Sequence, residues 1–252
     1  MIAMSRYSKR KLQYLPLSVK HFLSLLFTLM VMFPVLYFWF EPAFILGLGI
    51  SSTVASIILL ASLIGSYINI PVFEMRSYQP IVSARYISYF GFNWVIPNLE
   101  WREQKTVIAV NVGGAVIPVM FSIYLFIKYV IFGSNPMLFT IKVLVATLIV
   151  TLLINRLARP IKGVGIAMPG IVAAIITAIT SLIIAPIGGY CNVTVIAYIS
   201  GTLGALLGAD ILNLHKIPEL GAPVASIGGA GTFDGVFLNG LFSIILILLF
   251  IY

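Results

Sequence analysis

The sequence predicts an all-α polytopic membrane protein, a bundle of about seven transmembrane helices with a Gly/Pro-rich re-entrant or broken segment before the last helix. Of its 252 residues, 61% are hydrophobic and only 9% are charged, whereas an ordinary soluble domain is about 25% charged. The apolar residues form continuous runs, and a run of about 20 residues spans a bilayer. Such runs use up nearly the whole chain, so no separate soluble domain is expected.

The predicted membrane domain covers residues 22–252 and follows a basic cytoplasmic N-terminal segment, residues 1–21. Each run is expected to be a helix, because backbone groups in hydrocarbon must be bonded within the segment. The first run is longer than a signal-peptide core and no cleavage site follows it, so it is expected to remain as a helix. The predicted spans are Phe22–Phe40, Ala43–Ile70, Val107–Ile131, Leu138–Asn155, Gly165–Ala185, Val195–Leu212 and Val236–Tyr252.

The placement of basic residues predicts the orientation in the cell membrane. With the N-terminus in the cytoplasm, only Lys128 and Lys142 of the fifteen Lys and Arg residues fall outside. Cytoplasmic loops carry such an excess of basic residues. An odd number of spans then puts Tyr252 outside. Because the net charge of +8 is spread over juxtamembrane loops, the lipid bilayer is the expected partner and nucleic acid is not. The sequence predicts no oligomeric state.

Two connections have a distinctive composition. Residues 71–106 are rich in aromatic residues and contain three prolines, which favours either a segment in the headgroup zone or an ordinary cytoplasmic loop with interfacial anchors. Residues 213–235 are too apolar for a free loop and too rich in Gly and Pro for a regular helix. Irregular backbone is tolerated at membrane depth where protein buries it or where it lines a cavity. We therefore expect residues 213–235 to form the broken segment.

Several runs of the chain resemble one known family. They are SYINIPVFE (Ser66–Glu74), IAVNVGGAVIP (Ile108–Pro118), ARPIKGVGIAMP (Ala158–Pro169), SGTLGALLGADILNL (Ser200–Leu214) and LGAPVASIGGAGTFDGVFLNG (Leu220–Gly240). From about Leu59 onward the sequence is similar to a family of archaeal and bacterial membrane proteins catalogued as domain of unknown function 1614. The resemblance implies a membrane protein and implies no particular activity.

The two aspartates of the chain, Asp210 and Asp234, fall at the ends of the last two apolar runs. A carboxylate at the bilayer centre costs about 2.5–3.5 kcal/mol on insertion scales, so neither is expected to face lipid. Glycines around Asp234 would let a substrate, an ion or backbone approach closely; they are Gly228, Gly229, Gly231 and Gly235. In the alternative interpretation, each acid caps a helix or pairs with a neighbour such as His215 or Lys216. Asp234 is expected to matter more than Asp210, which lies at the end of a predicted regular helix.

The first functional hypothesis is binding or transport of a small solute, proton or cation. Secondary transporters hold such ligands with broken helices and an acid, and here Asp210, Asp234, Asn111 and His215 could contribute. Interruptions at Asn111–Gly114 and Gly163–Gly165 fit broken helices, although small residues also allow close helix packing.

The second hypothesis is an intramembrane aspartyl protease that acts on a membrane-embedded peptide through an Asp210–Asp234 dyad. The surroundings are faintly similar to the GxGD motif of presenilin-type and prepilin-type proteases, but this chain has Gly208–Asp210 and Thr232–Asp234 in place of that motif. The third is a non-catalytic membrane scaffold, in which both acids are dispensable. No cofactor or metal site is expected, since Cys191 is the single cysteine and no Cys/His cluster occurs.

Overall fold

The computed structural model describes residues 13–14, 23, 26–89, 92–161, 165–189, 191–220, 222–229 and 235–251. Within these residues it has seven α-helices, four π-helical segments, a 3-10 helix and two small sheets. The α-helices are α1 (Phe33–Pro42), α2 (Ser52–Gly65), α3 (Ile117–Phe132), α4 (Pro136–Leu157), α5 (Gly170–Ile184), α6 (Val193–Ala205) and α7 (Gly235–Ile251). The π-helical segments are Thr28–Met32, Ala43–Gly47, Val112–Val116 and Leu206–Asp210, and the 3-10 helix is Ile211–Leu220.

In the described part of the chain, four helical stretches are long and apolar enough to cross a membrane. They are Met30–Gly47, Val112–Phe132, Pro136–Leu157 and Val193–Ile217, and α2, α5 and α7 are shorter apolar helices. An apolar helical membrane protein is therefore supported, whereas seven full spans are not confirmed. The predicted span Ala43–Ile70 is wrong as one helix, because the helix breaks near Gly49, whose φ is +62°, and α2 ends at Gly65.

Contacts between helix ends show that successive apolar segments run in alternating directions. The Thr194 hydroxyl at the start of α6 donates to the carbonyl of Gly47. At the opposite end, the Asn155 amide near the end of α4 donates to the carbonyl of Gly208 over 3.0 Å. We call these the Gly47 end and the Gly208 end of the bundle. Lys128 and Lys142 lie toward the Gly47 end, while Arg156, Arg159 and Lys216 lie toward the other. Which end faces the cytoplasm stays a prediction.

The bundle is held together by close helix contacts and has an apolar exterior. Tyr198, Phe44 and Phe237 are large side chains with at most 2% exposure in its core. A Cβ at Gly204 of α6 would lie 2.6 Å from Val150 of α4, so glycine is needed for these helices to approach. Large apolar side chains on the outside, such as Phe132 at 84% exposure, give the surface that contact with lipid requires.

Strands occur where the all-α prediction had a loop. Strands β2 (Ile68–Tyr89) and β3 (Phe92–Asn111) pair antiparallel over nearly their whole lengths, and we call this hairpin the β-arm. Its many β-branched and aromatic residues favour strands, and the register shifts between Pro71 and Phe73, where proline has no N–H to donate. The all-α prediction is wrong for residues 68–111. The helix predicted to begin at Val107 begins instead with the π-helical segment at Val112.

The register of the β-arm does not give it a purely apolar face. It pairs Pro80, Val82 and Ala84 with Trp101, Leu99 and Pro97, which are apolar residue types, but the next pair of the same alternation joins Tyr78 to Glu103. The interfacial location expected for residues 71–106 stays a prediction.

The predicted broken segment joins the same sheet. After the 3-10 helix Ile211–Leu220, strand β6 (Val224–Ile227) pairs parallel with Val107–Val110 of β3. A short strand β1 (Gln13–Tyr14) pairs with the start of β2, which gives the order β1-β2-β3-β6. A second sheet pairs β4 (Arg159–Ile161) with β5 (Gly165–Ala167). Between α6 and α7 the described residues thus form a π-helical segment, a 3-10 helix and strand β6, and a re-entrant or broken segment over residues 213–235 stays a prediction.

Candidate functional site

The first element of the site is Asn111, which is completely buried where the β-arm meets the bundle. As the last residue of β3, it caps the π-helical segment that leads into α3: its Oδ1 accepts from the Gly114 N–H over 2.7 Å. Its Nδ2 donates to the carbonyl of Ser66 over 2.7 Å. One asparagine therefore ties together the end of α2, the end of the β-arm and the start of α3.

Two further polar side chains extend this connection to β6. The Asn111 Nδ2 lies 3.2 Å from Asn69 Oδ1, and the Ser226 hydroxyl donates to the same Asn69 oxygen over 2.5 Å. Asn69 is paired with Asn111 in the arm, and Ser226 is paired with Ala109, so the three side chains come from neighbouring strands. Bonded polar groups of this kind specify one arrangement of the strands.

Two glycines allow the irregular segments to approach each other closely. A Cβ at Gly113 would lie 1.9 Å from the Ser62 carbonyl, and a Cβ at Gly228 would lie 2.5 Å from the Ala115 Cβ. Gly228 also has φ +78°, which a side chain disfavours. The glycine-rich segment is therefore pressed against the start of α3, directly beside the residue capped by Asn111.

Asp210 joins this arrangement from α6. It ends the π-helical segment Leu206–Asp210 and is half-buried, and its Oδ2 accepts from the Gly228 N–H over 2.7 Å. Asp210 does not end a regular α-helix as expected, because its segment is π-helical and continues as a 3-10 helix.

Lys216 and His215 were the expected neighbours of Asp210. The Lys216 ammonium donates to Asn213 Oδ1 over 2.7 Å, and Asn213 in turn donates to the carbonyls of Gly208 and Ala209. His215 is exposed on the 3-10 helix. A pairing of Asp210 with either residue stays a prediction.

The structure brings together three of the predicted site residues, Asp210, Gly228 and Asn111, around the start of α3. We call them, with Asn69 and Ser226, the polar cluster. Gly229 follows Gly228 with φ +90°, and Gly235 begins α7, where a Cβ would lie 2.8 Å from Met168 Cε. Gly231 and Asp234 lie outside the described residues, and so does the proposed contact between the two aspartates.

Sequence reasoning missed Asn69 and Ser226. Each is a common polar residue in an apolar run, and only the strand register shows that they meet Asn111. The cluster offers a carboxylate, amides and a hydroxyl, which are groups that hold a proton, a small cation or a polar solute. Among the residues that the structure describes, no group of three or more His, Cys, Asp or Glu could hold a metal ion.

Comparison with known proteins gives a family and no characterised relative. The model of the family described as "Protein of unknown function (DUF1614)" matches residues 63–246. No curated protein and no solved structure matches the chain. Since the match covers well over half of the sequence and includes every residue of the polar cluster, the chain belongs to the DUF1614 family.

Proposed function

We propose that this membrane protein binds a proton, small cation or small polar solute at the polar cluster and carries it across the bilayer. The observation that supports this most strongly is the hydrogen bond from Gly228 to Asp210. It lies where the end of α6, the glycine-rich segment and the start of α3 are all interrupted. Discontinuous helices that meet around an acid are how secondary transporters form a ligand site near the middle of the bundle.

The same hydrogen bond gives a way to link ligand occupancy to conformation. A bond from a backbone N–H to an ionised carboxylate is roughly twice as strong as one between neutral groups. A proton or a cation on Asp210 draws charge away from Oδ2 and weakens its bond to Gly228. The glycine-rich segment is then held less tightly against the start of α3, and such a change could open the site on one side.

The test compares two acids of the chain in purified protein reconstituted into liposomes. Asp210→Asn removes the charge from the polar cluster. Glu103→Gln is the matched control, because Glu103 is a partly exposed residue of the β-arm that lies outside the polar cluster. Its Oε1 is 3.2 Å from Arg76 Nη1. Proton flux is followed with an internal pH dye under applied gradients of Na⁺, K⁺ or pH. We expect Asp210→Asn to reduce the protein-dependent flux and Glu103→Gln to retain it. Equal flux in both variants would overturn the proposal.

The two other hypotheses make different predictions for the same variants. An aspartyl protease requires Asp234 beside Asp210. Asp210→Asn and Asp234→Asn would therefore each abolish cleavage of a membrane-embedded peptide, and Glu103→Gln would not. A scaffold requires neither carboxylate. A variant with Asp210→Asn that inserts normally and restores a deletion strain fully would favour the scaffold.

A further inference from the structure

A cavity of about 450 Å³ lies at the Gly47 end of the bundle, away from the polar cluster. It is formed between the end of α3, the connection to α4 and the start of α6. Its lining includes Lys128, Tyr129, Ser134, Phe139, Cys191 and Asn192. The lining therefore combines aromatic rings with an ammonium, a hydroxyl and an amide.

The walls of the cavity are held in place by contacts among the lining residues themselves. Tyr129 stacks on Phe139 with ring centroids 5.5 Å apart, and the Asn192 amide donates to the Tyr129 hydroxyl over 3.1 Å. The Asn192 side-chain oxygen caps α6. The cavity is thus preformed, so ligand binding would require little free energy to order its walls.

The charge around the cavity is positive. The Lys128 ammonium lies 6.0 Å from the Tyr129 ring centre, and no carboxylate is part of the lining. One turn beyond Phe139, the buried Lys142 donates to the carbonyls of Ala185, over 2.6 Å, and of Gly189. Glu41, an acid at this end of the bundle, bonds to the hydroxyls of Tyr37 and Ser52 instead.

These two lysines are the ones that depart from the charge asymmetry of the sequence. A cation on the side of a membrane protein where cations are scarce needs a specific reason. For Lys142 the reason is structural, because it links α4 to the turn after α5. Among the residues that the structure describes, Lys128 makes no hydrogen bond of this kind, and it lines the cavity.

We propose that this cavity binds a phosphate group, with Lys128 as its counter-ion and Ser134 and Asn192 as polar neighbours. The rings of Tyr129 and Phe139 would contact the apolar part of a ligand that has one. Lysine binds phosphate as a point charge. The first turns of α4 and α6, capped by Asn135 and Asn192, add the positive ends of two helix dipoles on the same side. The phosphate could be that of an anionic lipid headgroup or a free phosphate.

Cys191 provides a direct test, since it is the single cysteine of the chain and lines the cavity. The rate of its modification by a maleimide is measured in detergent. Sodium phosphate is compared with sodium chloride at equal ionic strength, and short-chain phosphatidylglycerol with an uncharged monoacylglycerol. A ligand present at ten times its Kd leaves about one site in ten open, so labelling should slow about tenfold. Protection by both phosphate compounds means that the phosphate group suffices, and protection by phosphatidylglycerol alone identifies the lipid as the source.

Variants separate binding from general effects on the fold. Lys128→Gln should remove the protection, Lys128→Arg should keep it, and Lys105→Gln, an exposed lysine of the β-arm, is the matched control. Asp210→Asn should also keep it, so failure at the polar cluster is distinguishable from failure here. The proposal would be overturned if neither phosphate compound protects Cys191, or if protection is unchanged in Lys128→Gln.

Discussion

The Asp210 carboxylate accepts a 2.7 Å hydrogen bond from the amide of Gly228, eighteen residues further along the chain. Because Gly228 also contacts the start of α3, this single bond connects the end of α6 with both the glycine-rich segment and α3. Perturbing either partner should affect the stability of the site before it affects the rest of the bundle.

Gly228→Ala should destabilise the protein strongly. Its φ of +78° disfavours a side chain by about 1–2 kcal/mol. The new Cβ would also lie 2.5 Å from the Ala115 Cβ and 2.7 Å from the Ala115 backbone nitrogen, so the backbone itself would have to move. The midpoint of thermal unfolding in detergent measures the effect. Gly170→Ala is the matched control, because no atom lies within 4 Å of its Cβ position. Equal midpoints for the two variants would contradict the close approach described above.

Asn111→Ala should cost about 2–4 kcal/mol, since it leaves the Gly114 N–H and the Ser66 carbonyl without their side-chain partner in a buried site. Hydrogen exchange at the start of α3 should rise locally. For comparison, Asn135→Ala removes an exposed helix cap and should cost about 1 kcal/mol. A loss for Asn111→Ala no greater than that of Asn135→Ala would show that the buried connection contributes little.

Asp234→Asn should reduce function more than Asp210→Asn if the site binds or transports a ligand, and both should reduce it equally if the acids share a proton as a dyad. Asparagine keeps the size and much of the capping ability of aspartate, so protein levels should be unchanged. Complementation of a deletion strain gives the comparison. Full complementation by Asp234→Asn at normal protein levels would exclude the protease dyad and any ligand site that requires Asp234.

The sequence was sufficient for the helical part of the fold because length and continuity of apolar residues determine which segments can cross a bilayer. It did not predict the β-arm. The alternation of residue types along the β-arm is interrupted by the register shift at Pro71, which the sequence does not reveal. Its prolines and aromatic residues also suit an interfacial loop. Helix lengths were overestimated for the same reason, since Ile68–Ile70 and Val107–Val110 are mostly apolar and suit a helix or a strand.

The polar cluster was predicted in part. Asp210 and Gly228 were recognisable because an acid and a run of glycines are unusual beside apolar spans. That the two are joined by a hydrogen bond depends on β6 pairing with the β-arm, a contact between residues more than a hundred positions apart. The role of Asn69 and Ser226 depends on the same pairing. Patterns along the chain indicate which residues are unusual, whereas tertiary contacts decide which of them meet.

The pairing of β6 with the β-arm has a mechanical consequence. Val224–Ile227 is bonded in register to Val107–Val110, and Gly228 is the next residue, so a force applied to the arm reaches Gly228 through the sheet as well as through the helices that adjoin the arm. The arm is long, whereas the bond to Asp210 is made by the residue directly after β6. Lipid or protein that binds the far end of the β-arm can therefore displace Gly228 relative to the Asp210 carboxylate, although it contacts neither residue.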